Sequence, residues 1–182
     1  IAFDLNDPMG ESSCVTCGEC VAACPTGALV NKPIRDVAIR PREKLEQAVG
    51  ILGEQDVDLW LTFVRETLLT PDPCLDLIGG TYCAWQGAFL VSRTGERLAI
   101  VGRYDAPNVV QLGAYDEVIA YDESITPPLR EAIERLEPRS IALNYSESDP
   151  AADGLTHGLW LVLQTTLAGT PYAERLTSSE GV

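Results

Sequence analysis

The stretch AWQGAFLVSRTGERLAIVGR, residues 84–103, carries the clearest strand signal in the chain. Ala84–Ser92 and Arg97–Arg103 are two runs of strand length that are rich in apolar residues. Between them stands Thr94-Gly95, a short polar step of the kind that reverses the chain between antiparallel strands. The stretch therefore predicts a β-hairpin.

Helical and strand patterns continue on the N-terminal side of this hairpin. Pro41 suits the first turn of a helix because its missing N–H needs no partner there. One face of that helix is predicted to hold Leu45, Ala48, Val49 and Leu52. A strand pattern follows through Val57, Leu59, Leu61 and Phe63.

The alternation also continues on the C-terminal side. Tyr115–Tyr121 is predicted as a strand, followed by a helix with Thr126 as its cap and Pro127 as its first residue. That helix is expected to bury Leu129, Ala132, Ile133 and Leu136. Ser140–Tyr145 returns as a strand, and a last helix places Leu155, Leu159, Val162, Leu163 and Leu167 on one stripe. Strands separated by helices after a hairpin predict an α/β fold, a mixed β-sheet flanked by helices.

Composition and charge exclude several classes of partner. The chain of 182 residues is 46% hydrophobic and 22% charged, which is typical of a folded globular protein. Its formal net charge of −14 leaves no basic patch that could displace counterions from nucleic acid or an anionic membrane. The longest apolar runs are too short to cross a bilayer. We see no secretion signal and expect a cytoplasmic protein, and the first and last residues suggest a piece of a longer one.

Four of the six cysteines fall within eleven residues and form the motif C-x2-C-x2-C-x3-C-P. This spacing is typical of iron–sulfur proteins, because short spacers let one tight loop present several thiolates to a cluster. It predicts that Cys14, Cys17, Cys20 and Cys24 bind the iron of a 4Fe-4S cluster. Four thiolates also suit tetrahedral zinc, although zinc sites usually consist of two separated pairs. Zinc and inert thiols are the alternatives.

The remaining candidate residues are few. Cys74 and Cys83 are interpreted as small buried thiols, with a role as a missing cluster ligand as the alternative. His157 is the only histidine, and we expect it to begin or line the last helix rather than to catalyse a reaction. No catalytic set follows from the spacing of the residues after Lys32. The three tryptophans are expected to anchor the core or an interface.

The segment Glu11–Leu29 resembles the second cluster motif of formate dehydrogenase alpha subunits and of the large NADH dehydrogenase subunit, and Phe3–Asn6 resembles the residues before it. The resemblance implies that the first three cysteines of the motif hold one cluster. It also implies that Cys24 serves a second cluster whose other ligands lie upstream. Three possibilities follow: Cys24 joins the same cluster, a partner supplies ligands, or the chain holds no complete cluster. A redox partner is a further expectation.

The rest of the chain, about residues 41–180, resembles the N-terminal domain of creatinase and Xaa-Pro aminopeptidases. The sequence segments that carry the resemblance are Asp58–Leu61, Arg65–Thr67, Asp72–Gly80, Ala99–Asp105, Ile141–Ser146 and Ala152–Gly158. In that family this α/β domain assists oligomerisation and shapes the substrate entrance. The family's two divalent metals sit in a separate C-terminal peptidase domain, which we expect to be absent from this chain.

These patterns predict three segments: a partial ferredoxin-type segment over 1–32, a linker over 33–42 and a creatinase N-terminal-like domain over 43–182. The resulting hypothesis is a non-catalytic accessory domain of an Xaa-Pro aminopeptidase-like metallopeptidase, fused to a 4Fe-4S motif. We expect a homo-oligomer formed through the α/β domain. The alternatives are an iron–sulfur electron-transfer module of a formate dehydrogenase-like oxidoreductase, and a chimeric join of two gene fragments.

Overall fold

The computed structural model describes residues 41–78 and 82–182. The chain divides into two units, Ile1–Ile39 and Arg40–Val182, and every described residue belongs to the second. The helices are α1 (Pro41–Glu54), α2 (Pro73–Ile78), α3 (Ala106–Leu112), α4 (Thr126–Leu136) and α5 (His157–Leu167). The strands are β1 (Leu59–Arg65), β2 (Gln86–Ser92), β3 (Arg97–Gly102), β4 (Glu117–Tyr121), β5 (Ile141–Leu143) and β6 (Leu176–Ser178). Short 3-10 turns cover Pro150–Ala152 and Pro171–Glu174.

The described strands form one mixed sheet in the order β4-β3-β2-β1-β5-β6. Strand β2 is antiparallel to both of its neighbours, β1 and β3. The pairs β1–β5, β5–β6 and β3–β4 are parallel, so every strand except β2 points the same way. The predicted hairpin is β2–β3, and Gly95 in its turn has φ +96°, a conformation that favours glycine. The predicted α/β mixed sheet flanked by helices is therefore confirmed.

Two hydrophobic cores lie on opposite faces of the sheet. Helices α1, α2 and α3 pack on the face that carries Trp60 and Val64 of β1. Helices α4 and α5 pack on the other face, against Leu59, Leu61 and Phe63. Because successive side chains of a strand point to opposite faces, burial of both faces accounts for the nearly continuous apolar sequence of β1, which Thr62 interrupts before the strand ends at Arg65. No helix among the described residues is long and apolar enough to cross a membrane.

Several predicted elements are confirmed with small shifts at their ends. Helix α1 begins at Pro41 and buries Leu45, Ala48 and Leu52. The predicted cap Thr126 is wrong by one residue: it is the first helical residue of α4. The cap is Ile125, because its carbonyl accepts the first intrahelical bond, from Leu129 N at 3.0 Å. Leu155 precedes α5 rather than joining its stripe, since Thr156 caps that helix and its hydroxyl accepts from Leu159 N.

Three short elements were not predicted from the sequence. Helices α2 and α3 have six and seven residues, and β6 has three. None is long enough to repeat a helical or strand period clearly. In the structure, α2 and α3 pack on one face of the sheet and β6 pairs with β5 at its edge.

Candidate functional site

The predicted cluster ligands Cys14, Cys17, Cys20 and Cys24 lie outside the described residues. Their assignment as ligands stays a prediction from the sequence.

The other two cysteines lie within the described unit. Cys74 and Cys83 are free and buried, as predicted. Burial raises the pKa of both thiols to about 12, with a further contribution from Asp72 at Cys74 and from Asp105 at Cys83. A cluster ligand is a thiolate, and these surroundings favour the neutral thiol.

One end of the sheet, which we call the carboxyl edge, carries the ends of all strands except β2 and the start of β2. A buried polar group there, which we call the Asn144 clamp, joins the end of β5 to the end of β1. Asn144 Oδ1 accepts from Phe63 N at 2.9 Å, and its Nδ2 donates to Phe63 O at 3.2 Å. The same Nδ2 donates to Asp72 Oδ2 at 2.6 Å, while Asp72 Oδ1 accepts from Leu75 N at 2.9 Å and so caps α2.

Two loops close around this clamp. The Asn144 carbonyl accepts from Gly154 N at 3.0 Å and from Leu155 N at 2.8 Å. A Cβ on Gly154 would lie 1.8 Å from Asp72 Oδ2, so only glycine fits. Asp72, Asn144 and Gly154 lie in three of the sequence segments that carry the resemblance to creatinase N-terminal domains. These segments therefore contain residues that hold the fold together rather than a catalytic set.

An open groove of about 390 Å³ on the carboxyl edge is lined by Tyr145, Asp153, Leu155, His157 and Trp160. The rings of Tyr145 and Trp160 meet edge to face, with their centroids 5.7 Å apart. His157 is the first residue of α5, as predicted, and its side chain is exposed. The groove offers one imidazole and one carboxylate, without a nucleophile positioned beside them.

A second cavity on the same edge, about 350 Å³, is the aromatic pocket. Its lining residues are Glu66, Trp85, Gln86, Tyr121, Asp122, Glu123, Ser124 and Ile125. The ring centroids of Trp85 and Tyr121 are 6.0 Å apart. The Tyr121 hydroxyl donates to Gln86 O at 2.8 Å, and burial raises the pKa of that phenol to about 12. The pocket thus combines aromatic rings with carboxylates. The sequence predicts Trp85 only as an anchor, because this pocket is assembled from three separate segments of the chain.

The opposite end of the sheet, the amino edge, is charged. A cleft of about 490 Å³ there is lined partly by Asp58, Arg93, Arg135 and Arg139. Asp58 accepts from Arg139 N and Nε at 2.8 Å each and from Arg139 Nη2 at 2.9 Å, an arrangement we call the Asp58 clamp. Hydrogen bonding to Arg139 lowers the pKa of Asp58 to about 2. The cleft's arginines are engaged: Arg93 pairs with Asp56 and Arg135 with Glu117.

Among the described residues, no group of three or more histidine, cysteine or acidic side chains could hold a metal ion. The polar clusters of this unit are therefore structural or open to solvent. None of them unites a nucleophile, a base and a group that orients the base.

Comparison with known proteins gives two independent results. Residues 10–30 match the family model of the 4Fe-4S binding domain, which covers the four predicted cysteine ligands. No curated protein matched the sequence.

The described unit resembles solved N-terminal domains of proline-specific peptidases. The creatinase/prolidase N-terminal domain of an X-Pro dipeptidase from Streptococcus pyogenes matches with a TM-score of 0.53 and 14% identity, over 76% of this chain and 94% of that one. The aminopeptidase P from Streptococcus thermophilus matches with a TM-score of 0.55 and 13% identity, over 76% and 91%. The X-Pro aminopeptidase from Thermotoga maritima matches with a TM-score of 0.57 and 13% identity, but the match spans only 33% of its chain and 75% of this one. The unit therefore has the fold of creatinase/prolidase N-terminal domains.

Proposed function

We propose that residues 41–182 form a non-catalytic accessory domain of an Xaa-Pro aminopeptidase-like metallopeptidase, and that the N-terminal segment binds a 4Fe-4S cluster. The observation that carries the first part is the match over 94% of an isolated peptidase N-terminal domain. The match spans only 33% of a longer X-Pro aminopeptidase chain, and we propose that other residues of the parent protein carry out hydrolysis.

The polar groups of the described unit support an accessory role. Hydrolysis by a metallopeptidase needs a water molecule bound to a metal ion. Several carboxylate or imidazole ligands must hold that metal ion. In the described unit, Asp58 instead joins β1 to the start of β5, and Asp72 caps α2 and accepts from Asn144. We expect no cleavage of an Xaa-Pro peptide by the purified chain with added manganese. Cleavage that disappears on chelation would contradict the accessory role.

For the cluster, we propose Cys14, Cys17, Cys20 and Cys24 as the four ligands. One thiolate per iron completes a cubane, so anaerobic reconstitution should give about four irons per chain. Cys20→Ser should lower the iron content and the visible absorption together. Cys83→Ser is the matched control, because that buried thiol is not proposed as a ligand and its replacement should leave the iron content unchanged. Uptake of zinc but never of iron, under reducing and iron-replete conditions, would overturn the assignment.

The family match over residues 10–30 also favours a second function, electron transfer through an iron–sulfur module like that of formate dehydrogenases. A reconstituted chain that is reduced and reoxidised reversibly, followed by electron paramagnetic resonance, would favour this function. A cluster that decays on one reduction would count against it. Sequencing the locus across Lys32–Arg42 tests the third possibility, a chimeric join.

We also propose that the α/β unit associates with a second copy of this chain. Leu68, Leu69 and Tyr82 support this, since their side chains are 73%, 81% and 62% exposed. Thr67 N donates to Cys83 O, which brings the segments that carry them side by side. Light scattering should show a dimer or larger species that Leu69→Glu shifts to monomer. A monomeric wild-type chain at high concentration would contradict the proposal.

A further inference from the structure

The aromatic pocket on the carboxyl edge is lined by the aromatic rings of Trp85 and Tyr121. Trp85 is 39% exposed and contacts Tyr104 edge to face, with ring centroids 5.7 Å apart. A Cβ on Gly102 would lie 2.7 Å from Trp85 Cε3, so the indole rests directly against the backbone of β3. The Asp105 carboxylate accepts from Ala84 N at 3.0 Å and from Trp85 N at 3.4 Å, which holds the start of β2. The indole is therefore positioned before any ligand arrives.

Three carboxylates line the same pocket. Glu66 has φ +41°, a left-handed conformation that costs free energy for a residue with a Cβ. Among the described residues, its one cationic partner is Arg65, whose Nε lies 4.0 Å from Glu66 Oε2, at the limit of an ion pair. Asp122 pairs with Arg103 at 2.5 Å, whereas Glu123 has no ion pair among the described residues. At least two negative charges in the pocket are therefore poorly compensated.

We propose that the aromatic pocket binds a small organic cation of the alkylammonium or guanidinium class. The faces of Trp and Tyr rings attract a cation through their quadrupoles, and nearby carboxylates add a direct attraction. The cavity of about 350 Å³ is of a size that small-molecule sites commonly have. An anion would be repelled by the carboxylates, and a neutral apolar ligand would desolvate them without compensation. The site goes beyond the accessory role proposed above and does not depend on the cluster.

The probe for this site is choline, and its uncharged carbon analogue dimethylbutanol is the matched control ligand. The chain contains three tryptophans, so its indole N–H resonances provide the readout. The Trp85 resonance is assigned by its loss in Trp85→Phe. Choline should shift that resonance saturably, while the resonance of buried Trp60 stays fixed. Dimethylbutanol should produce no saturable shift.

Variants separate a built site from general attraction to an acidic protein. Glu123→Gln removes a lining charge with little change of shape and should weaken choline binding by about fivefold. Glu54→Gln is the matched control, because Glu54 is exposed on α1 and does not line the pocket. It should leave the affinity within about twofold. Gly102→Ala should displace the indole and weaken binding while the three carboxylates remain, and retained dispersion of the other resonances shows that the variant is folded.

Saturable binding of choline that Glu123→Gln and Gly102→Ala weaken supports the proposal. It is overturned if choline produces no saturable shift. It is also overturned if dimethylbutanol shifts the Trp85 resonance as strongly, or if Glu54→Gln weakens binding as much as Glu123→Gln.

Discussion

Strands β1 and β5 are joined at both ends by side chains that bridge 81 residues of sequence, and the two bridges differ in kind. At the carboxyl edge, Asn144 is fully buried and bonds both backbone groups of Phe63. At the amino edge, the side chains of Asp58 and Arg139 are 18% and 68% exposed and share three hydrogen bonds. The Asn144 clamp is neutral and buried, whereas the Asp58 clamp is charged and partly exposed to solvent.

This difference shows that the number of hydrogen bonds in a clamp does not by itself determine how much the clamp stabilises the fold. Removal of a buried partner leaves backbone groups without water, at a cost of about 1–3 kcal/mol for each group. Removal of a partner at the surface lets water replace it, and exposed ion pairs contribute only about 0–1 kcal/mol. We therefore expect the neutral Asn144 clamp to outweigh the charged Asp58 clamp.

The largest effect is expected from Asn144→Ala. It leaves Phe63 N and O buried without their side-chain partner and removes a donor to Asp72. We expect the free energy of unfolding to fall by about 3 kcal/mol or more, measured as a lower urea midpoint at unchanged slope. Asn108→Ala on the exposed part of α3 is the control and should change it by less than about 0.5 kcal/mol. A loss below about 1 kcal/mol for Asn144→Ala would break the comparison.

The second-largest effect is expected from Gly154→Ala, which tests how tightly the chain packs around the Asn144 clamp. The new methyl group would lie 1.8 Å from Asp72 Oδ2 and 2.4 Å from Asp72 Cγ, so Asp72 or the loop must move. We expect a loss of about 2 kcal/mol in thermal or urea unfolding. Gly50→Ala in α1 is the control with the opposite sign, because no atom lies within 4 Å of its added Cβ. It should stabilise the chain by about 0.5–1 kcal/mol. Equal results for the two variants would show that the contact with Asp72 is not tight.

The smallest effect is expected from Asp58→Asn, at about 1 kcal/mol near neutral pH. The pKa of Asp58 is lowered from 3.8 to about 2 in the folded chain, so its contribution to stability is complete above about pH 4 and is lost as the pH falls toward 2. The difference in unfolding free energy between wild type and variant should therefore shrink over that range. Asp56→Asn, whose side chain is 80% exposed, is the control and should have little effect. A difference that stays constant down to pH 2 would contradict the lowered pKa.

Residue patterns predicted the long elements well. Helix α1, the β2–β3 hairpin and the buried stripe of α4 each repeat a period over enough residues to be recognised. The cap of α4 was misplaced by one residue, because Thr126 and Ile125 both stand before Pro127 and only the backbone bond from Leu129 distinguishes them. The family match over residues 10–30 suggests that this segment binds an iron–sulfur cluster, whereas the four cysteine ligands stay a prediction from their spacing.

What the sequence by itself determined is local: the cysteine spacing, the period of each long helix and strand, and the acidic charge. These depend on residues close together along the chain. Only the tertiary structure brought Asn144 to Phe63 and Asp72, or Glu66, Trp85 and Tyr121 to one pocket. Such contacts depend on the strand order β4-β3-β2-β1-β5-β6, in which β5 lies beside β1 although six helices and strands separate them along the chain. No local period encodes that order, because it results from burying both faces of one sheet at once.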